Sequence, residues 1–135
     1  MYKHILVAVA FHEDQDYGKA LKAAARLADA DGRVTFLHVR EAVPSSALAY
    51  IPSDYASEVR QEILDRLDRL AAQMENGSGV LVEGHSGRTI LEWATKHDVD
   101  CIVIASHRPG LQDYFLGSTA GRVVRHATCS VHVTR

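Results

Sequence analysis

With 135 residues, 47% of them hydrophobic and 24% charged, the chain is one domain by size, long enough to bury a core and of ordinary globular composition. Its net charge of −2 argues against a general nucleic-acid or membrane-surface binder, and no run approaches the roughly 18 apolar residues of a transmembrane helix. The opening MYKHILVAVAFHED lacks the apolar core and small-residue cleavage site of a signal peptide, and Cys101 and Cys129 stand at no metal or CxxC spacing, so a reducing, cytoplasmic location is expected.

The first expected element is a strand over residues 3–11, KHILVAVAF, whose near-continuous apolar run fits a strand buried on both faces. The acids Glu13, Asp14 and Asp16 then favour a helix start. Tyr17, Ala20, Leu21, Ala24, Leu27 and Ala28 recur at three- and four-residue spacing, predicting an amphipathic helix ended by a glycine cap near Asp31-Gly32. Residues 33–40, RVTFLHVR, read as the second strand. The connection over 41–53, with two prolines and Tyr50, is longer than usual, and such loops are often functional. A second helix starts near Ser53-Asp54, turns Val59, Ile63, Leu64, Leu67, Leu70 and Ala71 to the core, and ends at Asn76-Gly77-Ser78-Gly79. A short third strand over 80–83 leads into the turn Gly84-His85-Ser86-Gly87, with Ser86 as helix N-cap. A third helix over 88–97, a fourth strand over 99–105, a fourth helix over 117–127 with Val123 and Val124 inward, and a closing strand over 130–134 complete the chain.

This alternation predicts an α/β fold: a single doubly wound domain over residues 1–135, with a five-stranded, mostly parallel sheet and helices on both faces. Ligands of such sheets sit beyond the carboxyl ends of the strands, which here means segments 10–16, 38–53, 84–88 and 105–121. Motifs at that edge exclude several chemistries. There is no GxxxxGK[ST], no GxGxxG after the first strand, no GxSxG elbow and no HExxH. A phospho-acceptor reading is weak, because the third strand ends in Glu83-Gly84 with no Asp.

Charge points to the C-terminal quarter. Residues 105–135 hold four arginines against Asp113, a net +3, while the other residues carry eleven basic and sixteen acidic side chains, a net −5. That suits a small anionic ligand. Within 101–135 a strand, a loop and a helix opening at Gly117-Ser118-Thr119 follow one another, and a helix N-terminus with free N–H groups is an anion site. Gly117 as a plain turn and Ser118 as a plain cap are the alternatives. His38 and His126 read as structural, Trp93 and Cys101 as core, and no histidine pair has metal-ligand spacing on a helix.

The opening K-H-I-L-V-A-V, the L-H-V at 37–39, the E-G at 83–84 and, above all, I-V-I-A-S-H-R-P-G, L-G-S and V-V-R-H-A-x-C-S-V-x-V resemble the universal stress protein family over the whole chain. The resemblance implies a fold like the adenine nucleotide alpha hydrolases, usually as a homodimer, with ATP, with or without Mg, held by a loop of the form G-x2-G-x9-G-[ST]. Two departures stand out. Ala105 takes the place of the first loop glycine and S-H-R-P shortens the loop, a variant of a branch regarded as nucleotide-binding. Ala10 stands where nucleotide-binding members commonly carry an Asp for the nucleoside, leaving His12 or Glu13 as substitutes. Carried over, Val39 would meet the adenine through its backbone, and Ala10, Phe11 and His12 would lie beside the nucleoside. Ala105, Ser106, His107, Gly110, Gly117, Ser118 and Thr119 would line the phosphate loop, to which Arg108 would add a bidentate charge.

The closing strand leaves a sheet edge that needs covering, and the family implies a homodimer through residues 130–135. The expected function is an ATP-binding regulatory or stress-response dimer without nucleic-acid or membrane partners. A dimeric scaffold that has lost the nucleotide is the alternative. No nucleophile with a paired base and no acidic cluster stands at the strand ends, so a dedicated catalyst is not expected and ATP hydrolysis would be slow at most.

Overall fold

Strand β1 (Tyr2–Ala8) is apolar on both faces and can be satisfied only inside a sheet covered on both sides. The computed structural model, which describes residues 1–11, 15–106 and 116–135, puts it there. Helix α1 (Gly18–Leu27), strand β2 (Ala28–Arg40), a short helix α2 (Ser45–Leu48), helix α3 (Ser53–Ala71), strand β3 (Gly77–Glu83), helix α4 (Ser86–Lys96), strand β4 (Cys101–Ala105), helix α5 (Ser118–His126) and strand β5 (Ser130–Thr134) follow. All strand pairs are parallel, in the order β3-β2-β1-β4-β5.

Alternate residues of the strands feed two cores. On one face Ile5, Val7, Phe36 and Val103 pack with Ala20 and Ala24 of α1 and Leu67, Leu70 and Ala71 of α3. On the other, Leu6, Leu37, Ile102 and Ile104 pack with Ile90 and Ala94 of α4 and Ala120 and Val123 of α5. Cys101 lies in the first core, where burial pushes its thiol up to about 11, so it stays protonated and packs as a small apolar side chain.

The elements match the expected order, with four local differences. Strand β2 begins at Ala28, directly after α1, so Gly32 is no helix cap; a bulge between Tyr2 and His4 brings Gly32 so close that a Cβ there would sit 2.9 Å from the Tyr2 carbonyl oxygen. The 41–53 connection contains α2. Gly77-Ser78-Gly79 belongs to β3, paired with Val34-Thr35-Phe36, because Gly79 lets Leu67 of α3 approach the sheet: a Cβ there would lie 2.8 Å from the Leu67 Cβ. Val124 is 44% exposed whereas Val123 is buried, since successive helix residues lie about 100° apart and both cannot face one core.

The amino edge of the sheet is locked by polar contacts. Buried His4 donates from Nδ1 to the His97 carbonyl at 3.0 Å and accepts the Thr35 hydroxyl at Nε2, 2.9 Å away. The Asp100 carboxylate accepts the N–H groups of Lys3 and His4. Burial lowers the pKa of His4, against the opposing pull of its bond to His97.

Two outcomes follow from this packing. Gly79→Ala destabilises the protein by about 1–3 kcal/mol in urea unfolding, because the new methyl overlaps Leu67. Stability also falls as pH drops below the ordinary histidine value of 6.5, because the unfolded chain then takes up a proton that folded His4 resists. The loss is at most about 1.4 kcal/mol per pH unit until the folded pKa is passed, and a His4→Asn variant shows a flatter profile over the same range.

Candidate functional site

The sheet order reverses between β1 and β4: the chain leaves β1 toward β2 and β3 on one side and later fills β4 and β5 on the other. Connections diverge there, and a crevice opens beyond the carboxyl ends. A cavity of about 430 Å³ occupies this position. Its apolar wall comes from Val9, Leu37, Val39, Ile90 and Ile104, and its polar groups from Gln15, Glu41, Ser86, Ser106, Ser118 and Thr119.

Two helix N-termini meet at this cavity. The Ser86 hydroxyl of α4 lies 3.1 Å from the Thr119 hydroxyl of α5. Neither helix has a side-chain cap. The first intrahelical bonds are Thr89 N–H to the His85 carbonyl and Gly121 N–H to the Gly117 carbonyl. The N–H groups of Ser86, Gly87 and Arg88, and of Ser118, Thr119 and Ala120, therefore have no acceptor among the described residues. Each terminus carries roughly half a positive charge, and together they favour negative charge beside them in the cavity.

The loop between β4 and α5 is tied at its base. The Ser106 N–H donates to the Thr134 carbonyl at 2.8 Å, and the Gly117 N–H donates to the Ser106 carbonyl at 2.6 Å. Gly117 itself takes φ −59° and ψ 160°, open to any residue, so its value there is the room it leaves at the helix entrance.

Beyond β1, Phe11 adopts φ 50°, the left-handed region that a bulky residue enters only when held. Tyr17 holds it: the Phe11 N–H donates to the Tyr17 oxygen at 2.6 Å and the two rings meet edge to face. Burial pushes the Tyr17 phenol up, so the group is neutral. His38 donates from Nδ1 to the Val9 carbonyl at 2.6 Å and packs against Phe11, which fixes the end of β1 where the cavity begins.

Of the residues expected at the site, Ala10, Val39, Ala105, Ser106, Gly117, Ser118 and Thr119 all line this cavity. Phe11 does not; it lines a neighbouring cleft. His12, His107, Arg108 and Gly110 lie outside the described residues. Sequence reasoning missed Gln15, which carries no motif signal and is marked only by following the strand at the switch point. It also read Ser86 as a cap, where the structure has His85 in the cap position and the Ser86 hydroxyl on Thr119. A serine opening a helix looks the same in sequence for either role. His38, read as structural, both braces Val9 and lines the cavity.

Known proteins share this architecture from end to end. Universal stress protein G of Salmonella typhimurium is 32% identical over 142 residues, covering 100% of both chains. The structure of universal stress protein UspA from Lactobacillus plantarum is 25% identical, covers 99% of this chain and 98% of that one, and superposes with a TM-score of 0.71. That of the universal stress protein from Archaeoglobus fulgidus in complex with dAMP is 18% identical, with 99% and 98% covered and a TM-score of 0.67. The universal stress protein family model matches residues 1–135, and the chain belongs to that family.

Proposed function

We propose that the chain is a nucleotide-binding regulatory protein that takes ATP in the switch-point cavity and acts as a dimer. The observation that carries this is the meeting of two uncapped helix N-termini, α4 and α5, joined through Ser86 and Thr119, at a cavity that also has apolar lining. Phosphates suit the helix starts; a purine suits the apolar lining, which includes Val9 and Val39. The complex of the Archaeoglobus fulgidus relative with dAMP supports an adenine nucleotide as the ligand class.

Ala10 brings no polar group to the nucleoside, and Gln15 and Glu41 line the same cavity, so these two are the described side chains that would bond the ribose. Among the described residues no group of three His, Cys, Asp or Glu could hold a metal ion, and magnesium would arrive on the ligand's own phosphates. Regulation by occupancy, rather than turnover, fits a site whose described groups position phosphates. A cytoplasmic setting accords with two free cysteines, one of them in the core.

The dimer would form through β5, which among the described residues pairs with β4 on one side and with no strand on the other, with Val131 and Val133 half-buried and Val124 exposed nearby in sequence on α5.

Each part has its own measurement. Denatured protein releases an ultraviolet-absorbing adenine nucleotide, or added ATP raises the melting temperature by several degrees; protein that carries no nucleotide and does not respond to ATP, ADP or AMP sinks the nucleotide reading in favour of a scaffold. Gly117→Val leaves stability nearly unchanged, because the backbone angles tolerate a side chain, but weakens ATP at least about a hundredfold by filling the helix entrance. Sedimentation velocity gives a species of twice the 14.8 kDa chain mass, and His132→Glu shifts it toward monomer, since edge strands related by a two-fold axis would bring like charges together.

A further inference from the structure

A second cleft, of about 280 Å³, lies between α3 and the described residues Phe11, Gln15 and Tyr17. Arg66, Arg69, Leu70 and Gln73 line it from α3; Phe11, Gln15 and Tyr17 line it from the other side. Arg66 and Arg69 are three residues apart and project from one side of the helix. Neither makes an ion pair with a described residue: those pairs are Met1–Asp29 and Arg88–Glu92. No carboxylate lines the cleft among the described residues.

The walls are ordered for a ligand. The Arg66 guanidinium lies over the Phe11 ring, 5.4 Å from its centroid, which restrains its plane. The Phe11 ring stands there because the left-handed backbone at that residue is held by the Tyr17 oxygen. That oxygen spends a lone pair on the Phe11 N–H, so its own proton is left to give. The left-handed backbone at Phe11 thus holds a wall of this cleft, and Gln15 lines both concavities.

We infer that the cleft of Arg66, Arg69, Gln73, Gln15 and Tyr17 is a second anion site, distinct from the helix N-termini, which takes a phosphoryl group. Two guanidinium forks match phosphoryl oxygens in pairs, and the amides and the phenol supply neutral donors around them. The open position of both arginines makes the site weak for a single charge and selective for a multiply charged one. The phosphoryl group has two sources: a free polyphosphate, or a ribose phosphate on a nucleotide seated in the adjoining cavity, the latter resting on the nucleotide reading above.

Titration calorimetry at constant ionic strength separates them. Pyrophosphate, which has no nucleoside, still binds Gly117→Val, in which the helix entrance is filled, and in that background Arg66→Gln/Arg69→Gln weakens it at least about tenfold; the melting temperature is unchanged by the two arginine substitutions, because both side chains are exposed. Adenosine 3′,5′-bisphosphate binds more tightly than AMP, and the double variant erases the difference without weakening AMP. Either result establishes the site and names its source. If the double variant alters neither pyrophosphate binding nor the preference for the bisphosphate, or if Gly117→Val alone abolishes pyrophosphate binding, the cleft is not an anion site. Failure of the nucleotide reading leaves the pyrophosphate arm standing, so the two are told apart.

Discussion

Everything in this molecule depends on covering both faces of β1. Ile5, Leu6 and Val7 are all almost completely buried, although neighbouring residues point to opposite sides of the sheet. Such a strand must be central, and here it lies third of five. Covering both its faces requires helices above and below, and helices between parallel strands require crossovers. Each crossover then starts at the same edge. That is why α4 and α5, separated by a strand in sequence, present their N-termini to one another at Ser86 and Thr119. The meeting of the two helix starts is a consequence of how the core is closed.

The two edges of the sheet have been given opposite treatments. At the amino edge, His4, Thr35, Ser78 and Asp100 bond one another and the backbone, and among the described residues no buried side-chain polar atom is left without a partner. At the carboxyl edge, backbone donors at two helix starts have no described acceptor. An unsatisfied N–H costs stability only where water cannot reach it, so such donors can stand at the mouth of an open cavity and not beneath a core. One edge holds the fold together and the other is left ready for a ligand.

Much of this was legible in the sequence because it follows from periodicity. The apolar runs at 5–11 and 101–105 identify central strands, and the strand-helix alternation leaves few topologies. What periodicity could not show depends on close approach. Gly77 and Gly79 read as a helix terminator, since glycine marks a turn and a tight helix-on-strand contact equally well; only the position of Leu67 tells them apart. Gly32 was misread in the same way, being shaped by the carbonyl of Tyr2 far away in sequence. At the site, the loop-to-helix junction at Gly117 was visible because its chemistry is local. Ser86 and Gln15 were not, because their roles arise from which segments the sheet order brings together.

The pair of backbone bonds at Ser106 fixes both ends of the β4–α5 connection. Ser106 is anchored to the last strand and Gly117 is anchored to Ser106, so the helix start is held from below the loop and not through it. Changing the length of a connection whose ends are already fixed costs little, about 0.6 kcal/mol for each doubling. A residue can therefore be lost, or a glycine exchanged for the alanine at 105, without moving the N–H groups of α5. Sequence drift in that segment therefore leaves the backbone donors of α5 in their places, and the scaffold keeps them without being refolded.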